Sequence, residues 1–163
     1  MFTKINYQRW IDLVIEEPNF LCRYLTIQND MDLLRDIMIK KVITITQDKT
    51  AQDAARLMTE RGASSVIVVN GDNIAGIVTE RDLARKVCTK DVASSKIPLT
   101  DVMSSPVIMA DPDMPIETAV QRMFNNKIRR LPILENGKLV SIVSVSDLAK
   151  HLRTKSLIEK TFE

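Results

Sequence analysis

Apolar and polar positions change rhythm several times along the chain, and each change predicts an element. In the first 32 residues Ile11, Val14 and Ile15 recur at helical spacing beside Trp10 and Leu13. Pro18 interrupts, and Phe20, Leu21, Tyr24 and Leu25 resume the pattern, so residues 1–32 are expected to be a helical leader that packs on the main body or meets a partner. Val42 to Thr46 is then β-branched and short, as a strand is. Thr50-Ala51-Gln52-Asp53 has capping-box spacing, and Ala54, Leu57, Met58 and Arg61 continue a helix from it. Two apolar runs follow, Ser65 to Val69 and Ile74 to Val78, separated by Asn70-Gly71-Asp72-Asn73, a hairpin signal. Glu80 to Val87 closes as a helix, and Cys88 to Leu99 is a polar link.

The same grammar then returns. A shift of 65 residues aligns Asp36–Arg85 with Asp101–Lys150 without a gap, and twelve of the 50 positions are identical. Val107 to Met109 is the expected twin of the first strand. Pro115 suits the first turn of a helix whose apolar face is Ile116, Ala119, Val120 and Met123. Leu131–Leu134, the turn Glu135-Asn136-Gly137-Lys138 and Leu139–Val143 repeat the hairpin, and Val145 to about Arg153 repeats the closing helix. The strands are nearly continuous apolar runs, which implies cover on both faces. A unit of this size buries little alone, so two copies should pack together.

Composition narrows the classes of function. The chain has 163 residues, 45% hydrophobic and 27% charged, which is an ordinary globular balance. A net charge of +2 does not by itself argue for nucleic acid. No apolar run approaches the roughly 18 residues of a membrane span, and no signal-like segment opens the chain, so a cytoplasmic protein is expected. Cys22 and Cys88 lie far apart and fit reduced structural thiols better than a disulfide or a zinc site. His151 is the only histidine, and it is expected to be solvated or to end a helix. With no His–carboxylate or Cys–His constellation, no glycine-rich phosphate loop and no metal spacing, an enzyme is not expected. Eight methionines, four of them repeating as Met38/Met103 and Met58/Met123, are expected mainly to fill the core.

One stretch carries the candidate chemistry. Gly76-Ile77-Val78-Thr79-Glu80-Arg81-Asp82-Leu83 runs from a buried strand into a helix, with Thr79 at the N-cap and Asp82 three residues on. Ser141-Ile142-Val143-Ser144-Val145-Ser146-Asp147-Leu148 says nearly the same thing. A cap alone is worth roughly 1 kcal/mol and explains either stretch locally. Yet a helix N-terminus is also an anion site, and a carboxylate there can accept both vicinal hydroxyls of a ribose. The duplication favours a ligand.

At these residues the chain resembles the tandem CBS-domain pair, or Bateman module. The resemblance is carried by Asp36-Ile37-Met38, Ala63 to Val69 and Gly76 to Leu83. Their second-copy partners are Asp101-Val102-Met103, Ile128 to Ile133 and Ile142 to Leu148. It implies an α/β (α+β) fold of two β-α-β-β-α repeats packed as a pseudo-twofold pair. The expected parts are a leader over 1–32, repeats over 33–88 and 99–153, and a helical tail over 154–163. It also implies a regulatory module, not an enzyme, that binds an adenosyl ligand in clefts between the copies. Carried over, cleft one would use Thr79, Arg81 and Asp82 with Met103, Ile128, Arg129 and Arg130. Cleft two would use Ser144 and Asp147 with Met38, Lys41, Ala63, Ser64 and Ser65. Copy two departs from the pattern, with Ser141 in place of Gly76, Ser144 in place of Thr79 and Ser146 in place of Arg81.

Two arginines suit phosphate oxygens, so cleft one is expected to prefer AMP, ADP or ATP, with S-adenosylmethionine and NAD as further adenosyl ligands. No catalytic cofactor and no metal are expected. Partners should be the nucleotide, a second copy in a homodimer through Leu83, Val87, Leu148 and Leu152, and a regulated protein. The alternative is a protein- or nucleic-acid-interaction module with vestigial clefts, supported by the basic run Lys127–Arg130 and the leader. Aromatics at 4% leave little for base stacking.

Overall fold

The computed structural model describes residues 32–38 and 42–151. The leader, the tail, Cys22, Lys41 and Leu152 lie outside the described residues. The fold is mixed α+β. Its elements are α1 (Leu34–Ile37), β1 (Thr44–Thr46), α2 (Ala51–Arg61), β2 (Ser65–Asn70), β3 (Asn73–Thr79) and α3 (Glu80–Lys86), followed by a 3-10 turn (Ser94–Lys96). Then come α4 (Leu99–Val102), α5 (Ile116–Asn125), β4 (Arg130–Glu135) and β5 (Lys138–Ser144). A last helix, α6, is described over 145–151. No helix among the described residues is long and apolar enough to cross a membrane.

The chain divides into two compact units. The first falls within Lys41–Ile108, and the second joins the described parts of Met1–Lys40 and Met109–Glu163. Each unit therefore holds the body of one repeat and the opening segment of the other. In the first unit the segment before α4 lies on the start of α2. Ala51 N–H donates to Ile97 O at 2.9 Å and Leu99 N–H to Lys49 O at 2.9 Å, and Pro98 bridges Thr50. In the second unit Ile116 N–H donates to Asp32 O at 3.0 Å, Leu34 N–H donates to Met114 O at 3.0 Å, and Leu33 bridges Pro115. Every one of these partners is related to its counterpart by the 65-residue shift. Leu34 and Leu99, both 0% exposed, are the plugs this exchange delivers. Cys88 to Leu99 is thus only partly the polar link expected, because its end is core.

In the first unit β1 runs parallel to β2, and β2 pairs antiparallel with β3. Val66, Val68 and Val78 cover the core side with Ala51, Ala54 and Met58 from α2. β4 and β5 form the matching hairpin of the second unit. Both hairpins carry a register shift at the same place, between Val68 and Val69 and between Ile133 and Leu134. The bulge is therefore duplicated with the sequence.

The expected strand Val107–Met109 does not form. Only Ala110 bridges Ile133, through Ala110 N–H to Pro132 O at 2.9 Å and Leu134 N–H to Ala110 O at 2.8 Å. In the first unit Gln47 N–H extends the ladder to Val69 O at 3.0 Å. The equivalent residue is Pro112, which has no N–H to give. The turns also differ. Asn136 and Gly137 both take positive φ (51° and 78°), as a two-residue type I′ turn requires, whereas Asn70 still belongs to β2 and the loop is Gly71-Asp72.

The Thr50 box forms as expected. Asp53 Oδ2 accepts from Thr50 N at 2.9 Å and from Thr50 Oγ1 at 2.8 Å. Those bonds, the backbone one foremost, hold the Asp53 carboxyl below its ordinary range. Its stabilising effect is therefore present above the ordinary carboxylate pKa and fades as pH falls through the lowered value.

His151 is not simply solvated. Its Nε2 lies 3.1 Å from Asp32 Oδ2, with side chains 25% and 20% exposed. Of the apolar residues expected to be open on the closing helices, Val87 and Leu148 are already buried in their own units, and Leu83 is half-buried.

Candidate functional site

β3 delivers Thr79 to the start of α3, and β5 delivers Ser144 to the start of α6. Both strands end extended, so each hydroxyl turns back over the first helical turn. Asp82 Oδ2 accepts from Thr79 N at 2.9 Å and from Thr79 Oγ1 at 2.5 Å, and Asp82 N–H returns to Thr79 Oγ1 at 3.3 Å. Asp147 Oδ2 accepts from Ser144 N at 2.8 Å and from Ser144 Oγ at 2.6 Å, and Asp147 N–H returns to Ser144 Oγ at 3.4 Å. Serine thus replaces threonine at the second cap without loss of the geometry.

The geometry is not special in itself, because Thr50 and Asp53 repeat it at α2. What differs at Asp82 is the second oxygen. Oδ2 is saturated by the cap, while Oδ1 faces Lys86 Nζ at 3.7 Å and, at the limit of a hydrogen bond, Ser104 Oγ at 3.5 Å. The Asp82 side chain is 17% exposed, so the carboxylate is partly shielded. Lys86 also donates to Val102 O at 2.7 Å and approaches Met103 O at 3.4 Å. Ser104 and Ile77 exchange backbone bonds of 2.9 and 3.1 Å, which hold Met103 against β3.

Met103 lies so close to Gly76 that a Cβ there would stand 2.5 Å from its Sδ and 2.8 Å from its Cγ. Glycine at position 76 is therefore a matter of space. Gly76→Ala is expected to cost about 1–3 kcal/mol through overpacking, read as a lower urea midpoint. A double-mutant cycle with Met103→Ala should recover part of that cost, and strict additivity would show that Met103 is not the obstacle. Ser141, at the equivalent position of the second unit, is fully buried with its Cβ accommodated.

The first unit thus brings together Thr79, Asp82 and Met103, with Arg81 exposed on the first turn of α3. Ala63, Ser64 and Ser65, expected in cleft two, border this same cap: Ser65 pairs with Thr79, and Glu80 N–H donates to Ser64 O at 3.2 Å. Ala63 and Ser64 also line an open groove of about 560 Å³ between α2 and α3, with Met58, Leu83 and Cys88. The second unit holds Met38, Ile128, Arg129, Arg130, Ser144 and Asp147. Arg130 pairs with Ser144, and Val145 N–H donates to Arg129 O at 3.1 Å, so the arginines border the second cap. Lys86 and Ser104 were missed from the sequence. Lys86 was legible as the i+4 neighbour of Asp82 on one helix. Ser104 was not, because its place depends on pairing with Ile77. No group of three or more metal-ligating side chains occurs among the described residues.

A duplicated unit of helix, β-hairpin and closing helix, with exchanged opening segments and a hydroxyl–carboxylate cap in each copy, defines a tandem-repeat module. The chain belongs to the CBS domain family, whose model matches residues 34–88 and 99–154. CBS-domain pairs are regulatory modules. Among curated relatives, the CBS domain-containing protein YhcV of Bacillus subtilis (strain 168) is 35% identical over 119 residues, which cover 73% of this chain and 84% of that one. Among solved structures, an uncharacterized conserved protein from Pyrococcus horikoshii superposes with a TM-score of 0.70 at 31% identity, covering 76% of this chain and 95% of that one. The CBS domain pair of protein MJ0100, in complex with 5′-methylthioadenosine and S-adenosyl-L-methionine, shares the fold at a TM-score of 0.69 and 23% identity. It covers 77% of this chain and 99% of that one.

Proposed function

We propose that this protein is a regulatory sensor that binds an adenosine-containing nucleotide of the AMP, ADP or ATP class at its duplicated caps and signals to a partner protein. The observation that carries the reading is the division of labour within Asp82. Oδ2 completes the helix cap, and Oδ1 is left to accept from outside it. One ribose hydroxyl would donate to Oδ1, and its neighbour would donate to the Thr79 oxygen. The charge-assisted bond to Oδ1 is worth roughly 1.5–3 kcal/mol, and the neutral one to Thr79 about 0.5–1.5 kcal/mol. Ser144 and Asp147 would act in the same way at the second cap, where Arg129 and Arg130 stand near for phosphate oxygens. That the same fold holds adenosyl ligands in MJ0100 supports the ligand class. The protein would act without catalysis, in the cytoplasm, through a regulated polypeptide. Of the described residues expected at a homodimer contact, Leu83 on the α2–α3 groove is the one not buried in its own unit.

The test is a thermal-shift panel on nucleotide-free protein with AMP, ADP, ATP, S-adenosylmethionine and NAD. A ligand at a hundredfold excess over its Kd stabilises by roughly 2.7 kcal/mol. At least one adenosyl ligand is expected to raise the melting temperature. No shift with any of them at millimolar concentration would refute the reading, and salt-dependent binding of DNA in their place would favour an interaction module.

A further inference from the structure

We propose that Lys86 is a positioning residue that ties the Leu99–Ser104 segment to Asp82 and thereby sets ribose recognition at the first cap. The inference rests on the nucleotide reading above. The last carbonyls of a short helix have no intrahelical donors. At the end of α4 the Lys86 ammonium supplies them, at 2.7 Å from Val102 O and 3.4 Å from Met103 O. The same ammonium stands 3.7 Å from Asp82 Oδ1, with its side chain 38% exposed. One cation therefore joins the carboxylate to the segment that carries Met103 and Ser104. The far side of that segment is pinned by the Ser104–Ile77 backbone pair.

Three consequences follow for a ligand. Oδ1 is held in one direction and presented to an incoming hydroxyl. Its charge is offset, so a phosphate nearby meets less repulsion. Met103 is kept over Gly76, where its side chain borders β3. Lysine is not duplicated at the position of this strut. The 65-residue shift carries Lys86 onto His151, and His151 turns to Asp32 at 3.1 Å. Lys86 would therefore set the two caps apart although their hydroxyl–carboxylate geometry is shared.

The experiment is calorimetry of the full chain with AMP and 2′-deoxy-AMP, comparing the parent with Lys86→Met, Lys86→Gln and Lys86→Arg. Each variant is first checked for an unchanged circular dichroism spectrum. The parent should prefer AMP. Lys86→Met, which keeps the stem and removes every donor, should reduce that preference by about fivefold, and Lys86→Arg should keep most of it. Lys86→Gln serves in the same comparison if Lys86→Met does not fold. A general weakening that leaves the AMP to 2′-deoxy-AMP ratio unchanged would overturn the inference alone, since a merely structural lysine would affect both ligands alike. Failure of the parent to bind either nucleotide would overturn the inference, and the nucleotide reading would fall with it only if ADP, ATP, S-adenosylmethionine and NAD also gave no thermal shift.

Discussion

Asp82→Asn is expected to weaken AMP binding by about tenfold to a hundredfold, the loss of one charge-assisted hydrogen bond. Asparagine keeps an oxygen that can accept from Thr79 N–H, so the start of α3 should survive. It loses the charge opposite Lys86, which lies 3.7 Å away in the parent. The informative control is Asp53→Asn. Asp53 makes the same three bonds with Thr50 that Asp82 makes with Thr79. A cap substitution there should lower the urea midpoint slightly and leave affinity unchanged. Calorimetry and urea denaturation on the two variants separate binding from folding. If Asp53→Asn weakens AMP as much as Asp82→Asn does, the effect is general destabilisation, and Asp82 has no special claim on the ligand. Asp147→Asn reads the second cap in the same way.

The second large effect concerns folding. Leu99→Ala should destabilise the protein by about 2–5 kcal/mol, the range for deleting a fully buried leucine side chain. For a chain of this length that corresponds to a drop in melting temperature of roughly 4–20 °C. The site is an unusual one for so large a cost, because by sequence Leu99 opens the second repeat, just after a polar stretch. It is 0% exposed because its own N–H is fastened to Lys49 O and Ile97 beside it to Ala51 N. It sits in the core made by Val66, Val68, Val78 and α2. Leu34→Ala should behave alike in the other unit, where Leu34 N–H is fastened to Met114 O. A change under about half a kcal/mol for either, measured by chemical denaturation, would mean that the exchanged segments do not seal the cores.

These expectations draw on different parts of the chain for a physical reason. Local and periodic features could be read directly. The Thr50, Thr79 and Ser144 caps depend on residues three apart, and the hairpins depend on apolar runs either side of Gly71 and Gly137. The repeat needs only a shift of the sequence against itself. These features brought out the two β-α-β-β-α copies and the pairs Thr79/Asp82 and Ser144/Asp147. The lost strand at Val107–Met109 goes with two absent N–H groups, at Pro132 in place of the Ile67 N–H that donates to Ile43 O, and at Pro112 in place of the Gln47 N–H that donates to Val69 O, and they matter only once the ladder partners are known. The same holds for Lys86 and Ser104, whose value lies in Asp82 Oδ1, Val102 O and Met103 O, and for His151, which meets Asp32 across 119 residues. The sequence alone determined the duplicated unit and the carboxylate cap in each copy, because hydrogen bonding within one helical turn and side-chain periodicity are local. Only the tertiary structure decided which opening segment completes which core and which oxygen of Asp82 is left for a ligand, because both depend on contacts between residues far apart in the chain.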